Sequence, residues 1–316
     1  MRVAVTGASG FVGGAVVADA VARGHEVLAL SRRPVELPGA EWRRWDLTEG
    51  PLTDAPEVDV VVHAAARVGE RGSWAQFERA NVAGTAAVLD AFPGARLVHV
   101  SSGSVYDPYI PTVDGREDEA PVARYLGRYA ASKAAAERLV RERAPGHAGG
   151  AVILRPHAVY GPGDTTLLPR IESAVRGRRL VLPGDGRVRQ SLTHVGNLVA
   201  AVRAAGHVDL DARDGGVLVA NVADAEPVAL RDVLLELLER RGRGDVEILG
   251  VPVRVATALA VLAEGAARLD PRGREPRLSR YAISHLALER TLDLTTLRER
   301  LGVEPAPTEL TGAEDW

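Results

Sequence analysis

The amino-acid sequence predicts an α/β fold, a doubly wound parallel sheet with a smaller, mostly helical C-terminal lobe. Two observations lead to this prediction. In the first half of the 316 residues, short apolar runs alternate with helical patterns, and the runs are apolar at consecutive positions. Such runs are typical of parallel strands that helices cover on both faces. Towards the C-terminus, helical patterns dominate instead.

The predicted elements follow one another in a regular order. The predicted strands cover residues 3–5, 27–30, 58–62, 97–100, 152–154 and 217–221. The predicted helices cover residues 10–23 and 129–143 between these strands, and 230–240 and 251–269 after them. The last helix is either the apolar wall of a ligand pocket or part of the core.

The composition excludes several classes of function. The chain has no cysteine, which excludes disulfides, thiol catalysis and thiolate metal sites, and its eight histidines show no metal-ligand spacing. Its net charge of −3 argues against nucleic-acid binding. Glycines and Asp19 interrupt residues 1–22, unlike a secretory signal, and the longest later apolar run, 251–262, is too short to cross a bilayer. We therefore expect a cytoplasmic protein with no metal and no membrane span.

A glycine-rich turn lies between the first predicted strand and the first predicted helix. Its sequence, TGASGFVG at residues 6–13, supplies glycines where the backbone must turn tightly and approach a pyrophosphate. The pyrophosphate would lie at the helix N-terminus, where free N–H groups and the helix dipole favour an anion. The motif predicts a Rossmann dinucleotide site in which the contact residues are Gly7, Ser9, Gly10, Phe11, Val12 and Gly13.

The end of the second predicted strand indicates which dinucleotide binds. An NAD site usually has an acidic residue there, which accepts a hydrogen bond from the ribose 2′-hydroxyl. This chain has Ser31, Arg32 and Arg33 instead. Because a guanidinium pairs well with a 2′-phosphate, NADP(H) is favoured over NAD(H). The alternative is that the two arginines are only solvated surface charge.

Tyr129 and Lys133 form a candidate catalytic pair. They lie four residues apart at the start of a predicted helix, so their side chains share one helix face. Lys133 is also the only lysine among 39 basic residues. A neighbouring ammonium lowers the pKa of a phenol towards the working range of an acid/base. Ser102 follows a predicted strand at the sheet edge where ligands bind, and its hydroxyl could hold a carbonyl oxygen against the tyrosine.

These motifs together resemble the extended short-chain dehydrogenase/reductase family, and the resemblance covers nearly the whole chain. The resemblance implies that Tyr129 is the acid/base, that Ser102 is the catalytic serine, and that Lys133 also binds the nicotinamide ribose. Asn81, in the segment NVAGT, would support the proton relay. The further cofactor contacts that the resemblance implies are Asp46 and Leu47 at the adenine, and Ala64, Ala65, Ala66, Pro156 and His157 along the rest of the dinucleotide.

Within this family, the chain is most similar to the 3β-hydroxysteroid dehydrogenase-like branch. Ser102-Gly103-Ser104 stands where sugar-nucleotide dehydratases usually have Thr-Asp-Glu, so the acids for water elimination are missing. The arginine that holds the diphosphate in sugar-nucleotide epimerases is also absent from its usual position, and Arg187 is a candidate replacement. The candidate substrate contacts are Ser104, His157 and Arg187.

The resulting hypothesis is an NADP-dependent ketoreductase or secondary-alcohol dehydrogenase for an apolar sterol-like, β-keto or natural-product substrate. Two alternatives remain open, an NAD-dependent sugar-nucleotide epimerase and an NADP-sensing protein without catalysis. We expect residues 1–162 and 191–222 to form the Rossmann domain, and residues 163–190 and 223–316 to form the substrate lobe. The partner is a small molecule, and the resemblance also allows a homodimer.

Overall fold

The computed structural model describes residues 1–165, 167–211, 214–269 and 279–316. Its strands are β1 (Arg2–Thr6), β2 (Glu26–Ser31), β3 (Ala40–Arg44), β4 (Val60–His63), β5 (Arg96–Val100), β6 (Thr112–Gly115), β7 (Ala151–Pro156), β8 (Val159–Tyr160), β9 (Arg179–Pro183), β10 (Arg189–Gln190), β11 (Thr193–His194), β12 (Val217–Val222), β13 (Val228–Ala229), β14 (Glu247–Val251) and β15 (Arg290–Leu292). Its helices are α1 (Phe11–Ala22), α2 (Trp74–Phe77), α3 (Gly84–Ala91), α4 (Arg128–Arg143), α5 (Leu167–Ala174), α6 (Val195–His207), α7 (Leu230–Arg240), α8 (Val253–Leu269), α9 (Arg280–Ala287) and α10 (Thr295–Glu299).

The main sheet has seven strands in the order β12-β7-β5-β4-β1-β2-β3. All of its neighbouring pairs are parallel. The strand order reverses between β1 and β4, and ligands of such sheets bind at the carboxyl ends of the strands beside this reversal. The doubly wound parallel sheet predicted from the sequence is therefore confirmed.

Alternate residues of the central strands pack into two separate core layers. In β1, Val3 and Val5 face the layer that contains residues of α1 and α6, and Ala4 faces the layer of α3 and α4. Because both faces are covered, these strands read as continuous apolar runs in the sequence. The edge strand β3 has the sequence AEWRR and contains no fully buried residue, so its pattern did not predict a strand.

The C-terminal part combines helices with short strands. β10 pairs with β13 and β15, and β15 also pairs with β6, which comes from the range predicted for the Rossmann domain. The predicted domain division therefore stays a prediction, with β6 joining the two parts. The helix predicted from residue 251 begins at Val253 and packs against α9 through Ala256 and Ala260, while Leu262 on its outer face is 70% exposed. Within the described residues, no helix is long and apolar enough to span a membrane.

Candidate active site

The turn between β1 and α1 has two positions where the backbone packs so closely that no side chain fits. Gly7 has φ +73°, and a Cβ added to it would lie 2.8 Å from Cα of Ala65. A Cβ on Gly13 would lie 2.2 Å from the carbonyl oxygen of Gly7. Both contacts are with backbone atoms, so only glycine fits. The two glycines therefore let the turn close on itself and pack against the segment after β4.

The N-terminus of α1 suits an anionic ligand. Gly10 is its N-cap, no side chain caps its free N–H groups, and the first turn contains no acidic residue. Ser9 and Gly10 are exposed, while Phe11 and Val12 are partly exposed. Free N–H groups at a helix N-terminus bind phosphate. The residues present therefore fit the pyrophosphate of a dinucleotide, and Gly7, Ser9, Gly10 and the backbone up to Gly13 would hold it.

The turn after β2 carries two arginines and is held by hydrogen bonds of the Ser31 hydroxyl. The Ser31 hydroxyl donates to the carbonyl oxygen of Arg33 at 2.7 Å and accepts from Nε1 of Trp42 at 2.9 Å. Arg32 and Arg33 are exposed, so their guanidinium groups are accessible to a ligand. Because its hydroxyl is already engaged twice, Ser31 fixes the turn that carries both arginines.

Asp46 and Leu47 lie at the start of a short 3₁₀ helix that follows β3. The Asp46 carboxylate accepts hydrogen bonds from the backbone N–H and the hydroxyl of Thr48, at 2.9 and 2.8 Å. Burial alone would raise the pKa of Asp46, but these bonds and the charges of Arg32 and Arg44 hold it below its ordinary value. Asp46 is thus an ionised cap near the arginine pair.

The segment after β4 borders the glycine turn. His63 is buried between the hydroxyls of Thr6 and Thr85, at 2.8 and 3.1 Å, and burial lowers its pKa to about 3. The ring is therefore neutral and holds β4 against β1. Ala64, Ala65 and Ala66 follow it, are partly exposed, and can line a cofactor with small side chains.

Ser102 and Tyr129 come together at the carboxyl edge of the main sheet. Ser102 follows β5, and Tyr129 lies in the first turn of α4. Both residues are partly exposed, whereas Ser101 is buried and donates to Glu137. Burial raises the pKa of Tyr129, and a hydrogen bond with Ser102 offsets part of this rise. Of the two neighbouring serines, Ser102 is the one that faces the Tyr129 phenol.

Lys133 lies beneath this pair, and its environment differs from the sequence-based expectation. Its Nζ donates to the carbonyl oxygen of Val100 at 2.6 Å, and the residue is 2% exposed. Burial lowers its pKa to about 8, against the opposing charge of Glu137. We expected the ammonium to lower the pKa of Tyr129, but burial of the phenol dominates and raises it. The ammonium is instead directed to the backbone of β5.

Asn81 connects helix α4 to the loop after β4. It lies in a π-helical segment, Glu78–Ala83, between α2 and α3. Its side-chain amide donates to the Ser132 hydroxyl at 2.8 Å and to the carbonyl oxygen of Arg67 at 3.1 Å, and its side-chain oxygen accepts from the N–H of Arg67. Ser132 in turn donates to the carbonyl oxygen of Tyr129. Asn81 thus braces the first turn of α4, and its part in a proton relay stays a prediction.

A buried ion pair beneath the site was missed by the sequence analysis. Glu137 and Arg155 are both 0% exposed, and Arg155 contacts the carboxylate through Nε at 3.0 Å and through a terminal nitrogen at 2.7 Å. The signal was available, because Tyr129, Lys133 and Glu137 are spaced four residues apart and form one stripe along α4. The stripe runs from the partly exposed Tyr129 to the fully buried carboxylate of Glu137.

Four further residues were predicted to contact the cofactor or the substrate, and they lie in different parts of the structure. Pro156 ends β7, and His157 follows it with Nδ1 2.9 Å from the carbonyl oxygen of Ser191. Ser104 is buried, and within the described residues its hydroxyl has no hydrogen-bond partner. Arg187 is exposed on the loop between β9 and β10, and its side chain makes no hydrogen bond to Ser102 or Tyr129 in the part of the chain that the structure describes. A Cβ on Gly103, which follows Ser102, would lie 3.1 Å from Cβ of His157, so His157 rather than Arg187 lies beside Ser102.

Comparison with known proteins establishes the family. Residues 3–219 match the NAD dependent epimerase/dehydratase family, so the chain belongs to that family. It is an NAD(P)-dependent enzyme of the extended short-chain dehydrogenase/reductase type, as the sequence motifs predicted.

Three similar proteins carry the names of reductases or dehydrogenases. The chain is 36% identical to the 4-hydroxy-2-methyl-3-oxo-4-farnesyl-3,4-dihydroquinoline-1-oxide ketoreductase of Stigmatella aurantiaca, over 96% of this chain and 91% of that protein. It is 32% identical to the 2-alkyl-3-oxoalkanoate reductase of Stenotrophomonas maltophilia, over 96% and 95%. It is 29% identical to a 3 beta-hydroxysteroid dehydrogenase/Delta 5-->4-isomerase of Mycobacterium tuberculosis, over 96% and 86%.

A solved structure, MoeE5 in complex with UDP-glucuronic acid and NAD, is similar across the whole chain. It has a TM-score of 0.71 and 28% sequence identity, covering 98% of this chain and 95% of that one.

Proposed function

We propose that the protein is an NADP(H)-dependent ketoreductase or secondary-alcohol dehydrogenase with Tyr129 as its acid/base. The observation that carries this proposal is the meeting of Ser102 and Tyr129, both partly exposed, above the buried Lys133. The nicotinamide supplies or accepts the hydride when bound. Ser102 orients the carbonyl oxygen, and Tyr129 gives that oxygen its proton during reduction. Lys133, which donates to the carbonyl oxygen of Val100, holds the end of β5 that leads to Ser102.

NADP(H) is the proposed cofactor because of the charge at the end of β2. Arg32 and Arg33 are exposed on the turn that Ser31 and Trp42 brace, and this turn carries no acidic residue. A 2′-phosphate would form charge-assisted hydrogen bonds there.

The named substrates of the relatives suggest the substrate class. Two of them are reductases of a 3-oxo group, one in a fused ring system with a farnesyl chain and one in an alkylated oxoalkanoate. We therefore propose an apolar β-keto, sterol-like or natural-product ketone. A cytoplasmic location and a homodimer are further proposals, and light scattering of the purified protein tests the latter.

A sugar-nucleotide epimerase is the second candidate, because MoeE5 was solved with UDP-glucuronic acid and NAD. An epimerase returns its hydride to the same substrate, so it would retain a cofactor on purification and would not consume added NADPH.

The deciding experiment follows NADPH and NADH consumption with a β-keto acid, a steroid ketone and a bicyclic aryl ketone. We expect turnover with a preference for NADPH, and a fall in kcat of about 10²–10⁴-fold in Tyr129→Phe. Tyr109→Phe is the control, because Tyr109 is 56% exposed and lies outside the pair. If no ketone is reduced and Tyr129→Phe changes nothing, the proposal is wrong, and a purely cofactor-sensing protein becomes the better explanation.

A further inference from the structure

Two glycines next to the catalytic residues make room for aromatic rings. Gly103 directly follows Ser102, and a Cβ on it would lie 3.2 Å from Cδ2 of His157. Gly127 precedes Tyr129 by two residues, and a Cβ on it would lie 3.1 Å from Cδ2 of Tyr281. Gly127 has φ −121°, an extended conformation that any residue adopts. The ring rather than the backbone therefore favours glycine there.

The two rings are joined by a third ring. His285 stacks on His157 with centroids 5.7 Å apart and planes at 23°. Tyr281 meets His285 edge to face, with centroids 4.5 Å apart and planes at 63°. Tyr281 also interacts electrostatically with the Tyr129 phenol. We call His157, His285 and Tyr281 the ring wall; it extends from the Ser102 side of the site to the Tyr129 side.

The ring wall is uncharged at neutral pH and has an unused acceptor. Burial lowers the pKa of His157 to about 4 and that of His285 to about 3, so both imidazoles are neutral. Since Ser191 offers a carbonyl oxygen, Nδ1 of His157 must carry the proton and donate. Nε2 is then an acceptor, and within the described residues it makes no hydrogen bond.

We propose that the ring wall selects the substrate, and that it fits a flat, uncharged, conjugated ketone with a hydroxyl group next to the reacting carbonyl. The substrate ring would stack on the wall, and its hydroxyl would donate to Nε2 of His157. A carboxylate would instead be repelled by that lone pair and would need a cation. The buried Arg290 acts on all three rings, but its guanidinium is already bonded to the carbonyl oxygens of Asp107 and Ile110 and to the Thr112 hydroxyl. The exposed Arg170, which acts on Tyr281 and His285, is the cation that a carboxylate would meet. This inference rests on the ketoreductase proposal and narrows its substrate class.

The test compares three probes: α-hydroxytetralone, tetralone, which lacks the hydroxyl, and the linear β-ketodecanoate. His157→Phe keeps a ring but loses the acceptor. We expect it to lower the ratio of kcat/KM for α-hydroxytetralone over that for tetralone about tenfold, and this ratio cancels any effect that the substitution has on both substrates alike. His285→Leu and Tyr281→Leu should raise KM for both tetralones, while their kcat changes little. His207→Phe is the control, because His207 is exposed at the end of α6.

The outcomes separate this inference from the proposed function. An unchanged ratio in His157→Phe, or a wild-type preference for β-ketodecanoate that Arg170→Ala abolishes, would overturn the ring-wall proposal while leaving a ketoreductase. If no ketone is reduced at all, calorimetric binding of α-hydroxytetralone in the presence of NADP still decides: tighter binding to the wild type than to His157→Phe supports the wall, and equal affinity refutes it.

Discussion

Lys133 is so deeply buried that both its hydrogen bond to Val100 and the shape of its side chain matter. Its Nζ contacts the carbonyl oxygen of Val100 at 2.6 Å, and close-packed interiors leave little room for a larger group. A guanidinium is broader and planar and keeps its charge at any pH, so it cannot replace the compact ammonium at this contact. Steric fit therefore explains why the one lysine of this arginine-rich chain is found at position 133.

We predict that Lys133→Arg retains the fold but lowers kcat/KM for ketone reduction at least about a hundredfold, a change of roughly 3 kcal/mol in transition-state stabilisation. Circular dichroism and the thermal midpoint report on the fold, and NADPH oxidation reports on activity. Arg138→Lys, the reverse exchange at an exposed position of α4, is the control and should change neither. Full activity in Lys133→Arg would show that the lysine is not needed.

The depressed pKa of Lys133 makes stability depend on pH in a definite direction. Burial lowers this pKa from 10.5 to about 8, so between these values the unfolded chain binds more protons than the folded one. The free energy of unfolding should therefore rise with pH across this window, by up to about 3 kcal/mol for this group. Urea unfolding of the wild type and of Lys133→Met should be measured at several pH values in this window. The difference between their free energies of unfolding isolates the contribution of Lys133. A difference that stays flat or falls with pH would contradict the prediction.

At the scale of elements, local motifs were predictable and long-range contacts were not. The turn at residues 6–13 and the spacing of Tyr129 and Lys133 are properties of a few neighbouring residues, so the sequence reveals them. Strand β3 was not predicted, because an edge strand that is partly exposed does not need an apolar pattern. Tyr281 and His285 reach the site from α9, and no local pattern indicates that they lie beside Gly127 and His157.

The same reasoning explains the missed ion pair between α4 and β7. Glu137 and Arg155 lie in different elements, and each charge alone reads as a surface charge. The four-residue spacing places Glu137 on the face of Lys133, but it does not indicate Arg155 as the partner. In the structure Arg155 also donates to the carbonyl oxygens of Glu117 and Ala120, both at 2.8 Å. One guanidinium therefore connects β7, helix α4 and the segment that precedes α4.

We predict that Glu137→Leu lowers the free energy of unfolding by about 3–5 kcal/mol, because it leaves the Arg155 charge buried without its partner. Combining it with Arg155→Met should restore a substantial part of this loss, because the unpaired Arg155 charge is then removed as well. Urea unfolding of the two single variants and the double variant gives the coupling energy directly. Additive effects of the two substitutions would show that the pair is not energetically coupled.

At the scale of the whole molecule, the buried carboxylate of Asp224 joins the end of the main sheet to the C-terminal segment. One oxygen accepts from the N–H of His194 at 2.7 Å and the amide of Asn197 at 2.8 Å. The other accepts from the hydroxyls of Tyr160 at 2.7 Å and Thr308 at 2.9 Å. Each carboxylate oxygen therefore has two donors, and the residue is 1% exposed.

We predict that Asp224→Asn lowers the free energy of unfolding by about 3 kcal/mol, because an amide group would face donors that then lack an acceptor. Trp316 packs near the rings of Tyr160 and His194, with centroids 5.9 and 6.2 Å away, so tryptophan fluorescence during urea unfolding reports on this region. Asp232→Asn, an exposed change in the first turn of α7, is the matched control and should alter stability by less than about 0.5 kcal/mol. Equal stability of Asp224→Asn and the wild type would mean that the C-terminal segment is held by its apolar contacts alone.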